Sequence, residues 1–284
     1  MPKVLTNGIK IHYWQVGEGR DDMVMLHGLT GNLAVWHLKL VPEFRQEYRL
    51  TTYDLRGHGR SDMPSTGYTT RHMADDLLGL MDALGIERAH LFGHSLGADI
   101  SLHFALLYPE RVGKVIALEA GTAALVHLRK RKDWPGWSDW AKALERYGGV
   151  RVPREKWHDI DYMLRQSLSV PIVFGLARGL PRKGDKLLKL LDTTTIVQEY
   201  QDTAGMTVDA LAQLNNPVLL MYGASSSYLG TYEMLRRVLP NCKTVLLENC
   251  GHFGPLEQPE MLVDHMRSFL QGDAVPEVPA ESGA

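Results

Sequence analysis

The sequence predicts an α/β protein with a mostly parallel, twisted sheet, helices on both faces and an inserted helical cap. Short, wholly apolar runs, which are typical of strands buried on both sides, alternate with helical stretches along most of the chain. Between residues 122 and 206 these runs stop, and tryptophans and basic residues become frequent. At 284 residues with 44% hydrophobic side chains, the chain is long enough to bury a sizeable core.

Two different patterns indicate the first strands. Apolar and polar residues alternate over residues 9–13, which predicts an antiparallel edge strand with one solvated face. Residues 23–26 are continuously apolar and lead into His27-Gly28-Leu29-Thr30-Gly31. Glycines at a strand end let the backbone approach a ligand, so the Leu29 N–H is a candidate donor to a developing negative charge.

The next strand leads into a loop that is rich in charge and glycine. Residues 48–53 form the strand, and Asp54-Leu55-Arg56-Gly57-His58-Gly59-Arg60-Ser61 follows it. Such a loop could be catalytic, but we interpret Asp54 and Arg56 as residues that pin it by hydrogen bonds. Residues 73–84 then form an amphipathic helix that a glycine ends.

A strand, turn and helix at residues 89–107 form the centre of the predicted chemistry. Residues 89–92 read as a buried strand and residues 98–107 as a helix, and Gly93-His94-Ser95-Leu96-Gly97 between them matches G-x-S-x-G. In this motif a strained turn lifts the serine hydroxyl clear of the sheet. The Leu96 N–H then lies at a helix N-terminus, aimed at the place where an attacked carbonyl gathers negative charge.

The following strand, residues 115–118, ends at Glu119 and precedes the inserted segment. We expect residues 122–206 to cover the carboxyl edge of the sheet like a lid. Its tryptophans, Trp137 among them, are interpreted as packing residues rather than substrate contacts. The predicted division is an α/β core of residues 1–121 and 207–271, a helical cap of residues 122–206, and a disordered tail of residues 272–284.

One histidine near the C-terminus has the position that a serine nucleophile requires. A serine hydroxyl is a weak nucleophile at neutral pH and needs an imidazole to take its proton. Of 12 histidines, His252 lies in a glycine-bounded loop just past the buried strand of residues 244–247. We therefore predict His252 as the base for Ser95, and we expect His94 to line the pocket or to pack.

These motifs make the chain resemble the α/β-hydrolase family over residues 9–270. The resemblance is carried by His27-Gly28, Asp54-x-Arg56-Gly57-His58-Gly59-x-Ser61, Gly93-x-Ser95-x-Gly97, and Gly251-His252-Phe253 with Glu257-x-Pro259-Glu260. It implies an eight-stranded sheet, a nucleophile at Ser95, a base at His252, and an oxyanion hole formed by the backbone N–H groups of Leu29 and Leu96. Because the nucleophile is a serine and not an aspartate, the chain does not resemble the haloalkane dehalogenase or epoxide hydrolase branches.

The triad acid is absent from the position where the family usually has it. Members carry an Asp three residues beyond a glycine, but here that stretch reads Gly223-Ala224-Ser225-Ser226, and no carboxylate occurs before Glu233. Some relatives place the acid at the end of the strand after the nucleophile helix, where this chain has Glu119. We therefore predict Glu119 as the acid, within hydrogen-bond range of His252. Glu248 is too close to that histidine along the chain to be preferred.

The composition of the chain excludes several classes of partner. A formal net charge of −2 gives no basic field for nucleic acid. No apolar run approaches the ~18 residues of a membrane span, and the N-terminus lacks a secretory signal, so we predict a cytoplasmic protein without a membrane partner. Cys242 and Cys250 are expected to be unpaired. We expect a small-molecule substrate and neither cofactor nor metal, and the oligomeric state stays open.

The sequence is best interpreted as a serine hydrolase that cleaves a carboxylic ester, thioester or lactone of a small, mostly apolar molecule through an acyl-enzyme on Ser95. Two kinds of alternative stay open. A lyase or a cofactor-free oxygenase would reuse the Ser–His pair as a base, whereas a small-molecule receptor would capture a ligand under the cap. Labelling of Ser95 by a fluorophosphonate without ester turnover would favour one of these alternatives.

Overall fold

A sheet of eight strands forms the centre of the computed structural model, which describes residues 2–134, 136–167 and 183–272. The strands are β1 Lys3–Thr6, β2 Ile9–Val16, β3 Asp21–Leu26, β4 Tyr48–Tyr53, β5 Ala89–His94, β6 Val112–Leu118, β7 Val218–Gly223 and β8 Cys242–Leu247. Their order is β1-β2-β4-β3-β5-β6-β7-β8. The β1–β2 and β2–β4 pairs are antiparallel and the others are parallel, so the predicted fold class is confirmed.

Helices connect these strands and pack on both faces of the sheet. They are α1 Ala34–His37, α2 Leu40–Phe44, α3 Thr70–Ala83, α4 Leu96–Leu107, α5 Val126–Arg129, α6 Gly136–Gly148, α7 Ile160–Ser167, α8 Lys183–Thr193, α9 Ile196–Glu199, α10 Val208–Leu211, α11 Leu229–Val238, α12 Gly254–Glu257 and α13 Pro259–Gln271. Short 3-10 turns occur at Pro109–Arg111, Ala123–Leu125 and Arg154–Lys156. Within the described residues, no helix has the length and apolarity needed to cross a membrane.

Two hydrophobic cores fill the space between the sheet and its helices. Side chains of a strand point alternately to the two faces, so neighbouring residues belong to different cores. Leu91 of β5 packs in the core that contains the apolar side chains of α3 and α4, whereas Phe92 packs in the core under α2 and α13. Cys250 also lies in this second core, and both cysteines are free, as expected.

The segment between β6 and β7 has a small apolar cluster of its own. Trp137 is almost fully buried there together with Ala141 and Leu144 of the same helix. Trp137 stacks on Trp140, with ring centroids 6.2 Å apart. The tryptophans therefore pack, as interpreted from the sequence, although mainly within this segment. The predicted tail, residues 272–284, lies outside the described residues apart from Gly272.

The charged loop after β4 is held by buried hydrogen bonds and a buried ion pair. Asp54 accepts hydrogen bonds from two backbone N–H groups, and its Oδ2 lies 2.7 Å from Nδ1 of the buried His12. Arg56 makes a two-pronged contact with the buried carboxylate of Asp76, at 2.6 and 2.5 Å. The interpretation of Asp54 and Arg56 as residues that pin the loop is confirmed.

Buried histidines should make the protein less stable in mild acid. Burial is the main cause that lowers the pKa of His27 to about 4, of His94 to about 3 and of His103 to about 4. In the unfolded chain these pKa values return to about 6.5. As the pH falls below about 6.5, the unfolded chain therefore binds protons that the folded chain excludes. The free energy of unfolding should fall by up to about 1 kcal/mol per pH unit for each histidine, down to about pH 4.

Urea unfolding curves between pH 7 and pH 4.5 measure this loss. His103 is the histidine to replace, because its substitution disturbs few contacts. Among the side-chain hydrogen bonds of the described residues, its ring has one, between Nδ1 and Thr70 Oγ1 at 2.8 Å. His103→Gln should make the decline with falling pH shallower, since glutamine does not titrate. A decline of equal slope in the variant, or a constant free energy of unfolding over this range, would contradict the prediction.

Candidate active site

Ser95 occupies a strained turn between β5 and α4. Its φ of 54° and ψ of −119° lie in a region that residues with a side chain rarely adopt. Glycines on either side make the turn sterically feasible: a Cβ on Gly93 would lie 2.2 Å from the Gly97 carbonyl oxygen, and one on Gly97 would lie 2.2 Å from that of Leu26. The predicted strand–turn–helix is therefore present, with Ser95 partly exposed at its apex.

Two backbone N–H groups were predicted as oxyanion donors. Leu96 is the first residue of α4, where N–H groups have no acceptor within the helix. Leu29 lies in the turn after β3, and a Cβ on its neighbour Gly28 would lie 3.2 Å from the Ser95 Cβ. The turn that contains Leu29 therefore lies directly against the nucleophile turn.

His27 and His58 fix the shape of the turn that contains Leu29. His27 Nε2 accepts the Leu55 N–H at 3.0 Å, so the proton of this neutral ring is on Nδ1, which donates to the Gly28 carbonyl at 2.8 Å. His58 Nε2 lies 2.5 Å from the Leu29 carbonyl oxygen. The Gly28 carbonyl is thus held by the ring of the residue before it, and the Leu29 carbonyl lies against a ring from the loop after β4.

Glu119 and His252 meet although 133 positions separate them in the chain. Glu119 follows the last residue of β6 and has a φ of 57°, and its side chain is fully buried. Its Oε2 lies 2.9 Å from His252 Nδ1, so the contact expected from the sequence is present. Its Oε1 accepts the Gly223 N–H of β7 at 2.6 Å. The carboxylate therefore bridges the ends of two neighbouring strands and the histidine loop.

The ring of His94 connects the nucleophile turn to the histidine loop. His94 Nε2 lies 2.8 Å from the His252 carbonyl oxygen, and since a carbonyl only accepts, Nε2 donates. The two imidazole rings are 5.0 Å apart. Burial, and then the nearby His252, lower the pKa of His94 to about 3, so its ring stays neutral at physiological pH. His94 therefore packs, in line with one of the two roles expected for it.

Comparison with known proteins identifies the family of the chain. A family model described as the alpha/beta hydrolase fold matches residues 23–259. The chain belongs to the α/β-hydrolase family. It is an enzyme of that family, and the family assignment made from the sequence motifs is confirmed.

Several relatives of this α/β-hydrolase act on small molecules. The chain is 38% identical to a 2-hydroxy-6-oxononadienedioate/2-hydroxy-6-oxononatrienedioate hydrolase of Burkholderia vietnamiensis over 93% of this chain and 91% of that protein. It is 30% identical to a 2-(acetamidomethylene)succinate hydrolase of Mesorhizobium japonicum over 87% of each chain. Among solved structures it is similar to Est816, described as an N-acyl homoserine lactone degrading enzyme, with a TM-score of 0.68, 27% identity, and coverage of 94% of this chain and 100% of that one.

Ser226 is a residue of this α/β-hydrolase site to which the sequence interpretation gave no role in the triad. Its Oγ accepts the Tyr228 N–H at 3.0 Å and lies 2.5 Å from Glu119 Oε2. A carboxylate only accepts, so the Ser226 hydroxyl donates its proton to Glu119. Ser226 stands at the position where the family usually has its acid, which marks the position in the sequence but not the contact that the serine makes.

The other carboxylates considered in the sequence are exposed or paired elsewhere. Glu248 is exposed. Glu233 pairs with Arg236 and Arg237 on its own helix, at 2.8 and 3.6 Å. Across residues 2–134, 136–167 and 183–272, no group of three or more His, Cys, Asp or Glu side chains is arranged to hold a metal ion.

Proposed function

We propose that this α/β-hydrolase is a serine hydrolase that cleaves a carboxylic ester, thioester or lactone of a small, mostly apolar molecule. The observation that carries the proposal is the contact of 2.9 Å between the buried Glu119 carboxylate and His252 Nδ1, next to the strained turn of Ser95. In a catalytic triad the serine is the nucleophile, the histidine is the base, and the carboxylate orients the histidine. In this proposal Glu119 takes the place of the acid that is missing after β7.

The nitrogen of His252 that carries the proton determines which nitrogen can act as the base. Because the Glu119 carboxylate only accepts, Nδ1 carries the proton and Nε2 has a free electron pair. Nε2 takes the hydroxyl proton as Ser95 Oγ attacks the substrate carbonyl, and it then gives this proton to the leaving alcohol or thiol. A water molecule next attacks the acyl-enzyme and passes one proton to the same nitrogen, which returns it to Ser95 Oγ as the bond between the acyl carbon and Oγ breaks and the acid leaves. Glu119 stabilises the imidazolium that forms in each step.

The Leu96 and Leu29 N–H groups are proposed to stabilise the negative oxygen of the tetrahedral intermediate. A peptide group is planar, and the N–H of one residue points away from the carbonyl of the residue before it. His27 Nδ1 holds the Gly28 carbonyl, and this directs the Leu29 N–H to the opposite side. His27 is therefore a positioning residue for one of the two donors.

Two substitutions of His27 separate its two hydrogen bonds. The side-chain nitrogen of Asn lies near the position of Nδ1 and can still donate to the Gly28 carbonyl. The side-chain oxygen of Gln lies near the position of Nε2 and can accept the Leu55 N–H, but the Gly28 carbonyl loses its side-chain donor and keeps only the Gly31 N–H at 2.9 Å. We expect His27→Gln to lower kcat by about 10- to 100-fold, since removal of a whole oxyanion donor costs about 10²- to 10³-fold. His27→Asn should lower it much less.

The kcat values for p-nitrophenyl butyrate and the Tm of both variants provide the measurement. Equal losses of kcat in the two variants, or a larger loss in His27→Asn, would show that the hydrogen bond from position 27 to the Gly28 carbonyl does not contribute to catalysis. A lower Tm with unchanged kcat in both would assign His27 to folding alone.

A second reaction class has specific support. One relative with 38% identity is named as a hydrolase of 2-hydroxy-6-oxononadienedioate, a compound that contains no ester, thioester or lactone. A protein of Bacillus subtilis that is 26% identical is named as a putative synthase, which keeps the lyase alternative in view. Cleavage of a carbon–carbon bond next to a carbonyl is therefore the alternative to test beside ester hydrolysis.

The test combines covalent labelling with a substrate panel. A fluorophosphonate should label Ser95, as peptide mapping by mass spectrometry would show. The panel comprises p-nitrophenyl esters, thioesters, N-acyl homoserine lactones and 2-hydroxy-6-oxononadienedioate. Turnover of an ester, thioester or lactone supports the proposal. Labelling with turnover of the dienedioate alone would replace it by carbon–carbon hydrolysis, and the absence of both labelling and turnover would contradict it.

A further inference from the structure

The short loop that carries His252 is held from behind by one carboxylate. Glu257 Oε2 accepts the Gly251 N–H at 2.7 Å and the Phe253 N–H at 3.3 Å. The same oxygen lies 3.5 Å from the Cys250 thiol, which donates to it. A single side chain thus binds the backbone on both sides of His252.

We propose that Glu257 is a positioning residue that sets where the His252 ring stands relative to Ser95 and Glu119. The inference rests on the proposed function, in which His252 is the base. Hydrogen bonds from N–H groups to an ionised carboxylate are about twice as strong as those between neutral groups. Glu257 therefore holds the loop more firmly than a neutral side chain would.

The opposite side of the loop is fixed by His94. Its Nε2 donates to the His252 carbonyl at 2.8 Å, while Glu257 binds the N–H groups of the residues before and after His252. With the backbone held from two directions, the remaining freedom of His252 is rotation of its ring, and the contact with Glu119 limits that rotation. Rates of proton transfer depend on such placement, and a displacement of about 1 Å can cost about 100-fold.

Tyr147 of α6 covers the back of the loop. Its ring meets Phe253 edge to face, with centroids 5.3 Å apart. A Cβ on Gly251 would lie 1.6 Å from the Tyr147 hydroxyl oxygen, so a larger residue at this position would require Tyr147 to move. Burial, and then the nearby Glu257 carboxylate, raise the pKa of Tyr147 well above its usual value. The Tyr147 hydroxyl oxygen is itself buried, while the Glu257 side chain is half-buried.

The chain contains a matched control for Glu257. Glu260 lies three positions later in the same Glu257-x-Pro259-Glu260 motif, but its side chain is 72% exposed and pairs with Lys39 at 3.0 Å. Replacement by glutamine removes one negative charge at either position, so the two variants have the same net charge. Only Glu257 is bound to the backbone beside the base, so only its replacement should change the chemistry.

The experiment compares Glu257→Gln with Glu260→Gln in the full chain. Active sites are first counted with a fluorophosphonate, and kcat and KM for p-nitrophenyl butyrate are then expressed per labelled site. We expect Glu257→Gln to lower kcat per site by about 10- to 100-fold with KM changed less than about 3-fold, and Glu260→Gln to match the wild type. A purely structural role would reduce the number of labelled sites or the Tm and leave kcat per site unchanged. That result would overturn the inference.

A measurement on the wild-type protein keeps the test decisive if Glu257→Gln does not fold. The amide protons of Gly251 and Phe253 should exchange with solvent at least about 100-fold more slowly than in an unstructured chain. Rapid exchange at both amides would overturn the inference. If the wild-type protein is not labelled at Ser95, the proposed function fails instead, and the kinetic comparison separates this case because it requires labelled sites.

Discussion

Ser95→Ala is expected to abolish labelling by a fluorophosphonate and to lower kcat for ester hydrolysis by at least about 10⁴-fold. The substitution removes Ser95 Oγ, the atom to which both the reagent and the substrate form a covalent bond. The fold should survive, because alanine keeps the Cβ and the strained backbone of φ 54° is unchanged. The measurements are kcat, the labelled fraction and the Tm.

Two further variants control for this result. Ser225 is an exposed serine just after β7, so Ser225→Ala should keep both labelling and turnover. Ser95→Gly should be inactive but more stable than Ser95→Ala, since glycine adopts a positive φ without strain. Turnover by Ser95→Ala close to that of the wild type would remove the acyl-enzyme from the mechanism.

The parts of the site that could be predicted lie at the ends of strands. The nucleophile turn is a local feature, because the glycines beside Ser95 and the apolar run before it are consecutive in the sequence. The contact between Glu119 and His252 was predictable for a different reason. Carboxyl ends of parallel strands meet at one edge of the sheet, so two strand-end residues far apart in the chain come together there.

Other parts could not be predicted because they depend on loop geometry. Seven strands were visible as patterns, whereas β1 has only four residues, too few to show a period, and was implied only by the family resemblance. The roles of Ser226 and Glu257 depend on which backbone and side-chain groups a turn brings within about 3 Å. Nothing in the spacing of residues gives such a distance. The division into core and cap and the cytoplasmic location both stay predictions.

Glu119→Gln is expected to lower kcat by about 10²- to 10⁴-fold while the protein stays folded, which corresponds to about 3 to 5.5 kcal/mol of transition-state stabilisation. The carboxylate accepts from Gly223 N–H, Ser226 O–H and His252 Nδ1. An amide has one accepting oxygen, so its NH₂ group must face at least one of these donors. If it faces His252, it favours the ring with the proton on Nε2, which cannot take the proton of Ser95.

The Glu119 prediction is checked by kcat at a constant number of labelled sites. Glu248→Gln is the control, because that side chain is exposed, and it should leave kcat within about 3-fold of the wild type. A Glu119→Gln enzyme with kcat close to that of the wild type would mean that Ser95 and His252 work without this carboxylate.

The position of Ser226 allows a stronger form of the same test. Its Oγ is 2.5 Å from Glu119 Oε2, the oxygen that contacts His252, so an aspartate at position 226 has its carboxylate close to the same ring. Glu119→Ala should be as impaired as Glu119→Gln, and addition of Ser226→Asp should restore kcat by about 10-fold or more, because the ring again has an acceptor for its Nδ1 proton. Recovery of kcat in the double variant but not with Ser226→Asn would assign the effect to the negative charge. Equal recovery with both would assign it to the filling of a cavity and would refute the role of Glu119 as the acid.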